Sequence, residues 1–152
     1  MADVLTPEQR RLNMSRIQGK DSKLEMLIRR GLHEQGLRYR LHARSLPGTP
    51  DLVFSSQRVA LFVHGCFWHK HECKFSRIPT TRREFWASKL QKNVERDTLV
   101  TSQLMNNGWR VIVIWECAFR SQSREAIETA LATISSEIRT GTTPFREFPS
   151  RT

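Results

Sequence analysis

The chain has 152 residues, of which 38% are hydrophobic and 26% charged, a composition that excludes a disordered polymer and favours one soluble, globular domain. It contains no run of about 18 apolar residues, and residues 1–16 lack the apolar segment of a signal peptide, so we expect a cytoplasmic protein without a membrane span. Its 25 lysines and arginines against 15 acidic residues give a net charge of +10, which favours nucleic acid as partner over a membrane surface, for which no long basic amphipathic helix is present.

Two helices are predicted at the start of the chain. Thr6 is suited to an N-cap and Pro7 to the first helical position, which predicts a helix ending near Ile17. Apolar residues at helical spacing predict a second helix from residue 22 to residue 35, which Gly36 ends. These helices precede the first strand-like material.

Short strands are predicted next, at 37–42, 51–54 and 58–64, with turn residues at 47–50 between the first two. The alternation of apolar and polar residues over 37–42 is typical of a half-buried strand. The strand at 58–64 is apolar on both faces, which is typical of a central strand covered on both sides.

The second half of the chain predicts a long helix over 81–106, a buried strand over 110–115 and a helix over 123–139. Buried strands flanked by helices predict a three-layer α/β sandwich around a mixed sheet. We expect one domain over residues 1–140, and we interpret residues 141–152 as a loose C-terminal tail.

A possible metal site lies in the segment 64–73, which holds three histidines and two cysteines. Zinc prefers four such ligands in a tetrahedron, and Cys117, after the strand at 110–115, could complete the set. Spacing alone does not decide between His69 and His71. With four protein ligands the site would be structural, whereas the alternative is a core thiol at Cys117 beside solvated histidines.

Carboxylates and the remaining histidines suggest hydrolysis of a phosphodiester. Asp51 opens a strand beside the central one, and Glu25 lies at the rim of the apolar stripe of the second helix. Carboxylate oxygens suit Mg²⁺, and His64 or His69 could activate a water or protonate the leaving oxygen. The alternatives are an exposed helix acid at Glu25 and plain salt bridges between acids and histidines.

Several segments carry a resemblance to a known family: Pro50-Asp51, His64 to His69, Phe85-Trp86, Lys92 to Asp97, Gly108 to Val111 and Trp115 to Cys117. Over roughly residues 13–120 the chain resembles the very short patch repair (Vsr) DNA mismatch endonucleases. The resemblance implies a restriction-endonuclease-like fold and a nick in one DNA strand 5′ to the thymine of a T:G mismatch, which arises where 5-methylcytosine has deaminated.

The resemblance also implies roles for individual residues. Asp51 would coordinate Mg²⁺ together with the main-chain carbonyl of Val63, His69 would act as general base, and Glu25 and His64 would assist around the metal waters. It implies a structural zinc ion on four ligands: Cys66, His71, Cys73 and Cys117. The Glu-x-Lys pattern common in the wider superfamily is missing after Asp51, and Val63 and His64 stand in its place.

Mismatch recognition would use apolar side chains as wedges between base steps, because a T:G pair costs less to unstack than a normal pair. Phe67, Trp68 and Trp86 are candidates, and in the family Met14 and Ile17 would contact DNA from the minor-groove side. The alternatives are aromatic packing around the metal site and ordinary docking of the first helix.

The resemblance also implies the partners. The substrate would be double-stranded DNA, contacted by the helix in residues 1–19, and a DNA cytosine methyltransferase would be a companion. A mismatch-repair ATPase is a further candidate partner, whose role the sequence leaves open. We expect a bacterial protein that is associated with the nucleoid when it binds DNA. We also expect a monomer, because an asymmetric mismatch needs no two-fold partner. A non-catalytic, zinc-stabilised DNA-binding module is the main alternative, and a nuclease of the His-Asn-His type fits poorly.

Overall fold

The structure is a computed structural model, and it describes residues 23–73 and 76–149. The helix expected over residues 6–17, and with it Met14 and Ile17, lies outside the described residues. Within those residues, no helix is long and apolar enough to cross a lipid bilayer.

Three helices and five strands make up the described part of the chain. In chain order they are α1 (Lys23–Glu34), β1 (Arg40–Leu41), β2 (Leu52–Phe54), β3 (Val59–His64), α2 (Arg83–Asn106), β4 (Arg110–Trp115), α3 (Arg124–Thr140) and β5 (Phe145–Phe148). A short 3₁₀ turn over Glu116–Ala118 follows β4. The helices and the three strands β2, β3 and β4 lie within one or two residues of their predicted bounds, because strong periodicity and turn residues mark them.

The five strands form one mixed sheet in the order β1-β2-β3-β4-β5. The pairs β1–β2 and β2–β3 are antiparallel, whereas β3–β4 and β4–β5 are parallel. The prediction of a mixed α/β sheet is therefore confirmed.

Helices cover both faces of this sheet. On one face, β-branched and leucine side chains of the strands pack against α1 and α3 in a single core: Ile28, Leu32, Leu52, Leu61, Ile112, Ile114, Leu131, Ile134 and Ile138. The other face packs against α2 through a second core: Ala60, Phe62, Val111, Val113 and Leu104. Because successive side chains of a strand point to opposite faces, β3 and β4 supply both cores and form the middle of three layers.

Two predictions about strands are corrected by the structure. The segment 141–152 does not lie loose throughout, since residues 145–148 form β5, and the N–H of Val111 donates to the carbonyl of Pro144 at 2.8 Å. Phe145 and Phe148 pack into opposite cores. The sequence did not predict this strand, because it has only four residues and lies between two prolines. The strand expected over 37–42 is only two residues long.

The parallel pairing of β3 and β4 positions the candidate site. His64 pairs with Trp115 at the carboxyl ends of these two strands. The segments 65–73 and 116–118 therefore leave the sheet at the same edge, and their side chains can meet there although they are distant in sequence.

Candidate active site and metal centre

Three cysteines and one histidine converge at the edge where β3 and β4 end. One ligand atom from each of Cys66, His71, Cys73 and Cys117 lies within 4.8 Å of the others, and Cys117 Sγ is 3.6 Å from His71 Nδ1. The loop is folded by its own backbone: the N–H of His71 donates to the carbonyl of Cys66 at 2.9 Å. The structure thus brings His71, and not His69, to the cysteines.

Two thiols of this cluster have raised pKa values. Burial is the main cause that raises the pKa of the Cys66 and Cys117 thiols; Cys73 raises both further, whereas a hydrogen bond between Cys66 and Cys117 opposes the rise. Without a cation these thiols are neutral, and all three cysteines are free of disulfides. Because a metal ion binds thiolates, the cluster could hold a metal whose binding releases protons.

His69 lies on the other side of the same loop. Its Nδ1 shares a hydrogen bond of 2.5 Å with Oδ2 of Asp97, which α2 contributes. Its ring stacks on that of His64, with centroids 3.7 Å apart and planes 3° from parallel. Asp97 belongs to the Lys92 to Asp97 segment, but sequence reasoning gave it no role, because nothing in the sequence shows that α2 faces this loop.

His64 is buried at the end of β3. Burial lowers the pKa of His64 well below its ordinary value, and the adjacent His69 lowers it further. Its Nδ1 has no hydrogen-bond partner among the described residues. His64 is therefore a neutral imidazole at physiological pH, with one ring nitrogen available to a group that enters the site.

Asp51 stands just before β2 and contacts β3. Its Oδ2 accepts the backbone N–H of Val63 at 2.7 Å. Burial raises the pKa of Asp51 from 3.8 to about 6; the hydrogen bond from Val63 opposes this rise, and the Glu25 carboxyl adds to it. The buried carboxyl of Glu25 and the half-buried carboxyl of Asp51 thus face one another, an arrangement that a cation would relieve.

Glu25 is only 4% exposed, so the alternative of an exposed helix acid is wrong. Its Oε2 lies 2.9 Å from Nε2 of His42 and 3.5 Å from Nη1 of Arg29. Ligand atoms of Glu25, His42 and Asp51 all lie within 4.8 Å of one another. His42 was missed by sequence reasoning, because it occurs in a segment whose only signal was strand alternation.

Aromatic side chains form a cluster between the loop and the start of α2. The ring centroids of Phe67 and Trp68 lie 5.5 and 5.9 Å from that of Trp86. Trp86 is only 3% exposed, whereas its neighbour Phe85 is 43% exposed. Asn93 Nδ2 donates to the carbonyl of Trp68 at 3.0 Å and fixes the loop to α2.

A cleft with a volume of about 310 Å³ opens beside the two stacked histidines, between α2 and the sheet. Its lining combines the histidines with hydroxyl, carboxyl and aromatic side chains: His64, His69, Asp97, Thr98, Thr101, Ser102, Trp115, Phe145 and Glu147. The histidine pair is therefore reachable from outside, and it is not sealed in the core.

Several known proteins are similar to this chain over most of its length. Residues 2–75 match the family model described as DNA mismatch endonuclease Vsr. The chain is similar to the type II nicking enzyme V.XorIIP of Xanthomonas oryzae pv. oryzae, with 46% identity over 117 residues that cover 77% of this chain and 86% of the relative. It is 45% identical to the DNA mismatch endonuclease Vsr of Escherichia coli K12, over 82% of this chain and 80% of that one. The type II nicking enzyme V.NmeAIP of Neisseria meningitidis is 39% identical, over 81% and 88%.

Proposed function

The chain belongs to the Vsr family of DNA mismatch endonucleases, and we propose on this premise that it nicks one DNA strand 5′ to the thymine of a T:G mismatch with the help of Mg²⁺. Members of the family are endonucleases, which hydrolyse phosphodiester bonds. The observation that carries the proposal is a continuous set of contacts from Asp51 through Val63 and His64 to the His69–Asp97 pair. A carboxylate site and an oriented imidazole are thus linked through two consecutive residues of β3.

The residues around Asp51 fit Mg²⁺. The N–H of Val63 points at Asp51, and the C=O of a strand residue points to the same side of the strand as its N–H. The Asp51 carboxylate and the Val63 carbonyl would thus be oxygen ligands of the kind Mg²⁺ prefers. When bound, Mg²⁺ would neutralise the phosphate and lower the pKa of its bound water.

His69 would be the general base. A carboxylate at Nδ1 holds a neutral imidazole with its proton on that nitrogen, which leaves Nε2 to accept a proton from the attacking water. His64 stacks on His69 and would fix the plane of its ring, and its unpaired Nδ1 could hold a water. Glu25 would accept hydrogen bonds from waters around the cation.

Zinc would be the structural metal at Cys66, His71, Cys73 and Cys117. At ordinary bond lengths of ~2.3 Å to sulfur and ~2.0–2.1 Å to nitrogen, a tetrahedral ion separates these two ligand atoms by roughly 3.5 Å. The separation of 3.6 Å between Cys117 Sγ and His71 Nδ1 agrees with that value. Zinc would join the loop after β3 to the turn after β4. It would thereby hold in place the loop that carries His69.

Phe67 and Trp68 are only partly buried, and we expect them to enter the base stack at the mismatch. Trp86 would form the base of this wedge, since it is buried beneath the other two rings. Stacking a base on an aromatic ring contributes ~1–3 kcal/mol, enough to offset the unstacking of one step. Met14 and Ile17, outside the described residues, are expected to contact the minor groove.

The wider setting is also part of the proposal. Three layers around a mixed sheet, with Asp51 beside the central strand, support a restriction-endonuclease-like fold in which histidines replace the usual lysine. The substrate would be double-stranded DNA in which a companion cytosine methyltransferase has made 5-methylcytosine. A monomer suits this asymmetric substrate, and a mismatch-repair ATPase could act on the same DNA.

A labelled duplex with a single T:G mismatch tests the proposal against a matched T:A duplex, with and without Mg²⁺. We expect a nick in the thymine strand alone, only with Mg²⁺, and none from Asp51→Asn. Binding without a nick, across several methyltransferase sites and divalent metals, would instead establish a non-catalytic DNA-binding module.

A further inference from the structure

His42 occupies an unusual position at the end of β1. Its N–H donates to the carbonyl of Asp51 at 3.0 Å, so the two residues are opposite one another where the β1–β2 pairing ends. Its φ of 45° is in the left-handed region, which residues other than glycine seldom adopt. Such a conformation is retained only where surrounding contacts hold it, and it is frequent at functional sites.

The side chain of His42 is directed at the two carboxylates. Its Nε2 is 2.9 Å from Oε2 of Glu25, and the two side chains are 15% and 5% exposed. With Asp51 added, the three ligand atoms lie within 4.8 Å of one another. Adjacent ligands of an octahedral cation with bonds of ~2.1 Å are roughly 3 Å apart, and opposite ligands roughly 4.2 Å. The atoms are therefore close enough together for His42 and Asp51 to share one cation, with Glu25 near the waters bound to it.

We propose that His42 is a nitrogen ligand, through Nε2, of the divalent cation held by Asp51. This inference rests on the proposed function, which assigns the cation to Asp51, and it changes the character of the site. Carboxylate and carbonyl oxygens suit Mg²⁺ or Mn²⁺ alike, but an imidazole favours a transition metal over Mg²⁺. The preference of this site for Mn²⁺ over Mg²⁺ would thus be greater than the preference of a site with oxygen ligands alone.

A hydrogen bond that only positions Glu25 is the competing explanation for the same 2.9 Å contact. Arg29 already contacts the same oxygen at 3.5 Å, so Glu25 does not depend on His42 for a partner. The two explanations differ in one observable property, because only a ligand transfers unpaired spin density from bound Mn²⁺ to the imidazole nitrogen.

The experiment uses the full-length, zinc-loaded protein and Mn²⁺ as probe. Calorimetry gives the affinities for Mn²⁺ and Mg²⁺, and electron spin echo envelope modulation detects nitrogen bound to Mn²⁺. The variants are His42→Gln, which keeps a hydrogen-bonding side chain, Asp51→Asn, and the control His33→Gln on the exposed side of α1. We expect imidazole modulation in the wild type and in His33→Gln. In His42→Gln this modulation should be lost, and the ratio of Mn²⁺ to Mg²⁺ affinity should fall by about tenfold.

The possible outcomes distinguish a failure of the ligand role of His42 from a failure of the proposed function. If Mn²⁺ binds, Asp51→Asn abolishes binding and no imidazole modulation depends on His42, the ligand role is wrong but the proposed function stands. If Asp51→Asn leaves Mn²⁺ binding unchanged, the cation assignment in the proposed function fails as well. Zinc content and circular dichroism verify folding, and His42→Asn replaces His42→Gln if the latter does not fold.

Discussion

Nδ1 of His69 and Oδ2 of Asp97 share a hydrogen bond of 2.5 Å that joins the loop after β3 to the middle of α2. The contact sets which ring nitrogen of His69 carries the proton, and it leaves Nε2 directed to other groups. The catalytic proposal for His69 therefore depends on a residue 28 positions away in the sequence.

Asp97→Asn should lower the nicking rate by about 100-fold or more, with little change in affinity for T:G duplex. An asparagine can present its amide N–H to Nδ1 and so favour the wrong tautomer. Single-turnover kinetics with binding measured separately would show this. Glu128→Gln on α3 removes the same charge from an exposed position and should leave the rate within about twofold. Equal losses in both variants would contradict the orienting role.

The pH dependence of stability should report on Asp51. Its folded pKa is about 6 against an ordinary 3.8, so the folded state binds the proton more tightly than the unfolded chain. The resulting stabilisation is complete below about pH 4 and is lost as pH rises through 6, a change of roughly 3 kcal/mol at most.

Urea denaturation of zinc-loaded, Mg²⁺-free protein between about pH 4.5 and about pH 7.5 tests this expectation. The fall in unfolding free energy should be smaller in Asp51→Asn than in the wild type. Added Mg²⁺ should restore stability most at the upper end of this range, where the carboxylate is ionised. Identical pH dependence of the unfolding free energy in the two proteins would show that the pKa of Asp51 is not raised in the folded state.

Removal of the metal from the Cys66, His71, Cys73 and Cys117 site should unfold or strongly destabilise the protein. Structural zinc contributes its binding free energy to folding, and loss of one ligand should lower the melting temperature by many degrees. Thermal unfolding after chelation, and of Cys117→Ser, measures the effect. Because burial raises the thiol pKa values, zinc return should release protons, detectable from the buffer dependence of the binding enthalpy. A chelated protein with unchanged melting would exclude a structural metal.

The aromatic cluster should separate recognition from stability. Phe67→Ala should weaken binding to T:G duplex by about tenfold or more, through the loss of ~1–3 kcal/mol of stacking, and should change stability little. Trp86→Ala should cost ~3–5 kcal/mol of unfolding free energy, because Trp86 is 3% exposed. Fluorescence anisotropy and denaturant titration distinguish the two effects, with Leu99→Ala, 58% exposed on α2, as the control. A stability loss in Phe67→Ala as large as in Trp86→Ala would mean that Phe67 is a core residue.

Deletion of residues 142–152 should destabilise the protein and promote association. The deletion uncovers β4, whose backbone groups then form an unpaired sheet edge. Thermal unfolding and light scattering measure both effects, and deletion of residues 150–152 is the control. A shortened chain that stays as stable as the full chain would show that β5 contributes nothing to the fold.

Local pattern predicted the elements that carry strong periodicity. Prediction of β3, β4, α1 and α3 needed no tertiary information, because the spacing of apolar residues indicates whether one face or both faces of an element are buried. Asp51, His64 and the cysteines were likewise proposed as site residues from residue types whose chemistry is specific. Short β5 escaped prediction, since its four residues gain their stability from pairing with β4 and from two cores.

Pairings between distant residues were decided by the tertiary structure. Sequence spacing left His69 and His71 equivalent as metal ligands, and the fold places His71 beside Cys117 and His69 beside Asp97. His42 acquires its contact with Glu25 because a left-handed residue ends β1 opposite Asp51. The sequence by itself determined which chemical groups this protein possesses; the parallel register of β3 and β4 and the packing of α1 and α2 decided which of them meet, because side-chain contacts across a sheet depend on strand order and not on separation along the chain.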